Sequence, residues 1–140
     1  MTEEQRTLIQ YRLHMAEKTL QDAHLLYTQG GSLWSVVNRA YYAMFYAVLA
    51  PLISVGQGAS KHARVIALFD QHFVKPGVLP KETSRWLHRA FELRQRGDYL
   101  ETAVLDATRT EEVLQWARTF VEQATAFLQS NPLPDNQRDG

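Results

Sequence analysis

With 140 residues, the chain is long enough to enclose one core that buries roughly 70% of the unfolded surface, and it needs no second domain. Its 15 Lys and Arg balance 15 Asp and Glu, and this zero formal charge excludes the overall basic excess of a general nucleic-acid binder, so any RNA contact must be local. The absence of cysteine excludes disulfides, thiolate nucleophiles and zinc knuckles together.

The opening MTEEQRTLIQ is polar and acidic where a secretory signal would be basic and then apolar, and no apolar run of about 18 residues is free of polar side chains. The expectation is a cytoplasmic protein with no membrane partner. Ile9, Leu13, Ala16, Leu20, Ala23 and Tyr27 alternate steps of four and three, placing one apolar stripe on a long first helix. Thr2 and Gln5 form a capping box at its start, and Gly30 and Gly31 end it. A second helix runs from near Ser32 to about Val55 and is apolar almost all round, as a central helix covered by neighbours must be, with Pro51 expected to bend or shorten it. After the loop from Gly56 to Ala59, Ser60 is the expected N-cap of a third helix whose inward face is Val65, Ile66, Phe69 and Phe73. Pro76 and Gly77 close that segment. Pro80 suits the first turn of a fourth helix over residues 80–97, where Gly97 interrupts it. The last helix is expected from about Leu100 to Gln129, with Val113, Ala117, Phe120, Ala124 and Phe127 on its core side. This divides the chain into a bundle over residues 1–129 and a disordered C-terminal tail over 130–140. Strand signals are nearly absent, no internal repeat occurs, and short Gly and Pro turns make neighbouring helices antiparallel. The fold class is all-α, an up-and-down bundle of four or five helices.

Such a bundle names no function, because function resides in the site. Polar residues among apolar ones are therefore the informative feature. On the second helix, Ser35, Arg39, Tyr42 and Tyr46 share one narrow arc with Asn38 beside it. This stripe either meets water or forms a subunit interface or binding site, since tyrosine beside arginine offers amphipathic contact area and can stack on a nucleotide. On the fourth helix, Arg85, Arg89 and Arg96 share a face with His88 and Glu92, a charge run more often solvated than phosphate-binding. Arg94 falls instead in the arc of Trp86, Leu87, Ala90, Phe91 and Leu93, so burial would demand a partner, and Asp98 lies four residues on. Asp98 also begins a D-x-x-E capping box with Glu101 that would start the last helix.

The histidines are His14, His24, His62, His72 and His88; none forms an H-x-x-x-H or H-E-x-x-H arrangement, so neither a metal nor another cofactor is expected. His62, in the first turn after Ser60, is either a surface or capping residue or an imidazole available near the loop that leaves the second helix. No Gly-rich phosphate loop or G-x-S-x-G element is present, which disfavours nucleoside triphosphate hydrolysis.

The run SVVNRAYYAMFYAVLA, the segment KHARVIALFDQHFV and the run FELRQRGDY resemble, in order and spacing, one prokaryotic branch of the HEPN domain family. The resemblance spans about residue 10 to residue 128, and its specific parts are Arg39 to Phe45, the Lys61–His62 pair, and Arg94 with Asp98 and Tyr99. It implies a helical bundle that forms a homodimer with polar residues facing across a cleft. Many members are ribonuclease toxins of toxin–antitoxin pairs, in which an arginine followed roughly four to six residues later by histidine makes a metal-independent composite site. There the 2′-hydroxyl attacks the adjacent phosphate, arginine stabilises the charge gathered on phosphorus, and histidine moves or positions a proton. Arg94 matches that arginine, but Gly97, Asp98 and Tyr99 stand where the histidine is expected. A carboxylate, ionised above about pH 4, is a poor acid and repels phosphate unless a cation neutralises it. Asp98 would then orient Arg94, and His62 would supply the imidazole from another helix. A small nucleotidyltransferase is the partner antitoxin in some such pairs and modifies a tyrosine near the motif, a location similar to that of Tyr99.

Three readings follow. The protein binds nucleotide or RNA at a dimer cleft within a toxin–antitoxin-type or nucleotidyltransferase-associated system; or it is a ribonuclease with Arg94, Asp98 and Tyr99 as catalytic residues; or the polar network is only structural. In the first two, Ser35, Asn38, Arg39, Tyr42, Tyr46 and His62 line the cleft, and DNA is not an expected ligand.

Overall fold

The computed structural model describes residues 2–99 and 105–130, the side chains of residues 97–99 excepted. Five helices, with no strand among the described residues, make the all-α bundle expected from the periodicity: α1 (Glu3–Thr28), α2 (Leu33–Ser54), α3 (His62–Phe69), α4 (Lys81–Tyr99) and α5 (Ala107–Ser130).

The start of α1 is secured as the sequence indicates. Thr2 Oγ1 accepts from the Gln5 backbone N–H at 3.1 Å, while Gln5 Oε1 accepts from the Thr2 N–H at 2.8 Å, so two donors without helical partners are satisfied reciprocally. At the other end Gly30 adopts φ +78°, a left-handed conformation costly for any residue with a Cβ, and the next amide returns to the Leu26 carbonyl at 2.7 Å. Of the α1 stripe, Ile9, Leu13, Ala16 and Ala23 are buried, while Leu20 and Tyr27 are half-buried.

Helix α2 packs against α1, α3, α4 and α5. It is long and apolar enough to cross a membrane by length and composition, yet 67% of its most apolar window is buried inside the bundle, the position of a core helix. Pro51 is buried within it, and the helix continues to Ser54. Proline removes one backbone donor from the helix. The Ser54 hydroxyl turns back to donate to the Pro51 carbonyl. The main core gathers Tyr41, Met44, Val48 and Leu52 of α2 with Val65, Phe69, Phe73, Leu87 and Phe120. A smaller cluster of Ile9, Leu13, Ala50 and Leu128 forms beside it.

Several boundaries differ from the sequence reading. Lys61, rather than Ser60, is the N-cap of α3, and it makes no side-chain capping bond. After Phe69 the chain widens into a π-helical turn over Asp70–Val74, which still buries Phe73. Pro80 lies just outside α4, where its carbonyl accepts from both the backbone N–H and the hydroxyl of Thr83. Gly97 does not interrupt α4, which continues through Asp98 to Tyr99. Helical propensity at one glycine costs only about 1 kcal/mol, which flanking turns can override.

Asp98 is consequently inside a helix; its side chain and residues 100–104, where the sequence places the start of the last helix, lie outside the described residues, and α5 starts at Ala107 with a cap of its own. That role falls to Asp106, whose Oδ1 accepts from the Arg109 backbone N–H at 2.8 Å. Helix α5 buries Val113, Ala117, Phe120 and Ala124, leaves Phe127 half-buried, and includes Ser130; residues 131–140, most of the expected tail, lie outside the described residues. Asp106→Ala is expected to lower stability by about 1 kcal/mol through loss of this cap, measured as a shift of the urea midpoint at unchanged slope.

Candidate functional site

The α2 stripe and the fourth-helix arginine converge. Tyr41 and Tyr42 are consecutive, so they leave α2 in directions about 100° apart, Tyr41 into the core and Tyr42 half-buried at its margin. Arg94 spans both: its guanidinium carbon lies 5.7 Å from the centre of the Tyr41 ring and 5.2 Å from that of Tyr42. Arg39, one helical turn before Tyr42, brings a second guanidinium to 5.0 Å from the same ring. Two guanidiniums thus meet one aromatic surface on a protein whose formal net charge is zero. Asn38 Oδ1 accepts from Arg39 Nε and a terminal nitrogen at 3.3 and 3.0 Å, setting the plane of that guanidinium.

His62 enters the cluster from the first residue of α3. Its ring stacks on Phe45 with centroids 4.1 Å apart and planes 13° from parallel, and Nδ1 lies 2.8 Å from the Tyr41 hydroxyl. Burial pushes the Tyr41 phenol well above its ordinary pKa of 10.0, with Arg94 opposing and Tyr42 adding to the rise. The phenol therefore keeps its proton and donates it to Nδ1. Burial, and secondarily the charge of Arg94, pushes His62 below its ordinary 6.5. The imidazole is neutral at pH 7, with Nδ1 as acceptor and its proton on Nε2, a tautomer inferred from the bond. It thus offers an N–H donor suited to an anionic oxygen. Acting as a base at Nε2 would require the tautomer to switch and the Tyr41 hydroxyl to turn.

The depressed value has a consequence for stability. The unfolded chain takes up the His62 proton more readily than the folded one, so this contribution is complete above about pH 6.5 and is lost as the pH falls from there through the lowered folded value. The melting temperature of wild type should fall more steeply between about pH 7 and pH 5 than that of His62→Gln, which cannot titrate; parallel profiles in a calorimeter would contradict this.

The other expected positions are less central. Tyr46 is half-buried with its ring 6.2 Å from that of Tyr42, extending the aromatic surface along α2. Ser35 is exposed in the first turn, where its backbone N–H donates to the N-cap Ser32 hydroxyl, and it stands at the edge of the stripe. The side chains of Asp98 and Tyr99 lie outside the described residues. Arg94 is half-buried rather than enclosed. The arginine run of α4 is solvated: Arg85 and Arg89 form exposed ion pairs with Glu82 and Glu92, a type of contact worth at most about 1 kcal/mol. No three His, Asp or Glu among the described residues converge on a possible metal position.

Sequence reasoning assigned no site role to Tyr41, Phe45 or Phe91, although the ring of Phe91 stands 5.6 Å from Tyr41 and 6.3 Å from His62. The available signal was Tyr41 itself. A tyrosine on the buried face of an apolar helix needs a partner for its hydroxyl, and a histidine on a neighbouring helix is a candidate. A second histidine contact also escaped the sequence reading, the 2.6 Å approach of His88 Nε2 to Asp70 Oδ2 between α4 and the π-helical turn.

Comparison with known proteins finds relatives over most of the chain. The chain is 38% identical over 126 residues to a "UPF0332 protein" of Thermotoga maritima, covering 90% of this chain and 95% of the relative. It is 35% identical over 130 residues to "UPF0332 protein glr0978" of Gloeobacter violaceus, covering 92% and 94% of the two chains. It is 28% identical over 127 residues to a Methanocaldococcus jannaschii protein named "Putative toxin MJ0142", covering 91% and 86%. The family model described as "HEPN domain" matches residues 9–127, nearly the whole bundle, and the chain belongs to that family.

Proposed function

We propose that the Arg94 cluster binds RNA or a nucleotide at the cleft of a homodimer, in a toxin–antitoxin-type or nucleotidyltransferase-associated system. The observation that carries this reading is the pair of guanidiniums, Arg39 and Arg94, held over one half-buried tyrosine ring beside a neutral imidazole. Guanidiniums match phosphate oxygens in a bidentate fork, an aromatic ring can stack on a base, and an N–H at His62 Nε2 can donate to a phosphate or carbonyl oxygen. The toxin name of the M. jannaschii relative supports the system, and Asp98 and Tyr99 follow Arg94 in sequence where the resemblance expects the motif histidine.

A second reading, metal-independent ribonuclease, rests on a separate observation. Arg94 and His62 both meet Tyr41, so a histidine from α3 reaches the arginine even though none follows it in sequence. In that reaction the 2′-oxygen bonds to phosphorus, the bond to the 5′-oxygen breaks, and the products are a 2′,3′-cyclic phosphate and a 5′-hydroxyl. The 2′-hydroxyl loses its proton and the leaving oxygen gains one.

Short labelled oligoribonucleotides incubated with the purified protein in EDTA distinguish the readings. Saturable binding, seen as anisotropy, without cutting is the result expected of a binding module. Cleavage that leaves cyclic phosphate ends establishes the ribonuclease. Neither binding nor cutting by the dimeric protein overturns both.

A further inference from the structure

The inner face of α1 packs on α2 and α5, and none of its residues belongs to the Arg94 cluster. Its outer face carries a second pattern. Glu4, Leu8, Tyr11, Met15, Lys18, Asp22 and Leu25 follow one another at steps of four and three, the spacing of a coiled-coil seam. Three of these are large apolar side chains presented to solvent: Leu8 is 40% exposed, Tyr11 52% and Leu25 58%. A shallow groove lies at each end of the seam, one formed by Thr7, Leu8 and Tyr11, the other by Leu25, Thr28 and Arg118.

Charge and symmetry select the occupant. In a parallel pairing of two α1 helices, like meets like, so Lys18 would face Lys18 and Asp22 would face Asp22, with repulsion at both levels. In the antiparallel pairing centred between Ala16 and Glu17, Leu8 falls opposite Leu25 of the second copy, Tyr11 opposite Asp22, and Met15 opposite Lys18. Each of the three levels between Leu8 and Leu25 is then complementary: leucine meets leucine at the ends, a phenol can donate to a carboxylate, and methionine can pack on the aliphatic stem of lysine. Two-fold symmetry repeats each pair on the other side of the centre, as an isologous interface requires. The seam from Leu8 to Leu25 extends about 25 Å along the helix.

We infer that the outer face of α1 is a self-association surface on which a second copy of this chain docks antiparallel, with Leu8 of one copy against Leu25 of the other. This contact is separate from the residues of α2, α3 and α4 that form the Arg94 cluster. A protein using both surfaces builds assemblies larger than a dimer while leaving each cleft intact.

The absence of native cysteine permits a direct test, since every disulfide formed must involve an introduced residue. Leu8→Cys and Leu25→Cys proteins, each altered only at an exposed position, are oxidised separately and as an equimolar mixture, then run on a non-reducing gel. The mixture is expected to yield a species of twice the chain mass, and neither protein alone is expected to do so, because the antiparallel register keeps identical positions far apart. Crosslinking within either single variant to the same extent as in the mixture, or no crosslinking in the mixture at concentrations where wild type self-associates, would overturn the inference. Leu25→Glu provides an independent check by sedimentation: it is expected to remove the largest species and leave the far-UV spectrum unchanged, and an unaltered size distribution would count against the seam.

Discussion

Arg94→Ala is expected to weaken binding of a short oligoribonucleotide by about tenfold to a hundredfold, the loss associated with one charge-assisted contact of about 1.5–3 kcal/mol, and to abolish any metal-independent cleavage. The side chain bridges Tyr41 and Tyr42, so its removal takes charge from the place where the aromatic surface and His62 meet. Urea unfolding of the variant, followed by circular dichroism, separates a loss of binding from a loss of fold. Arg94→Lys separates charge from shape: it keeps the cation but loses the planar fork that lies over the rings and can grip two phosphate oxygens, so it should fall between wild type and alanine. Anisotropy titrations at one fixed salt concentration provide the comparison, since the electrostatic part of RNA binding varies steeply with salt. Binding by Arg94→Ala as tight as by wild type would remove the cluster from consideration as the RNA site.

Phe69→Ala is expected to destabilise the bundle by about 3–5 kcal/mol, a large share of the 5–15 kcal/mol typical of a domain. Phe69 is fully buried, and its ring meets Phe73 at 5.9 Å and Phe120 at 5.4 Å, tying α3, the π-helical turn and α5 together. Truncation removes apolar contact and leaves a cavity that rigid helices on several sides cannot close. Urea unfolding followed by circular dichroism measures the loss. A change below about 1 kcal/mol would mean that the aromatic cluster repacks instead. Because α3 also carries His62, loosening its far end should impair RNA binding as well, although Phe69 lies outside the cluster.

Local rules account for what could be read in advance. The capping box at Thr2, the end of α1 at its glycine pair and the buried stripe of Ile9, Leu13, Ala16 and Ala23 depend on contacts within a few residues or on one helical period, both visible in the sequence. The polar arc of α2 was legible for the same reason, because side-chain direction on a helix follows from numbering alone. Errors arose where a weak local signal met tertiary context. Gly97 suggested a break that α4 does not make, and Asp98 to Glu101 had the form of a cap, whereas the capping residue is Asp106.

The sequence by itself determined an all-α bundle built round α2, its family resemblance, and the residue types available for a site. Only the tertiary structure decided that His62, Tyr41, Phe45 and Arg94 meet, because the turns after α2 and α3 set how three helices approach one another, and no periodicity encodes that approach. The directions in which the pKa values of His62 and Tyr41 move arise at the same level. Un-ionised Tyr41 follows from burial against the opposing charge of Arg94, neutral His62 follows from burial and that same charge, and these effects depend on distance through space rather than on separation along the chain.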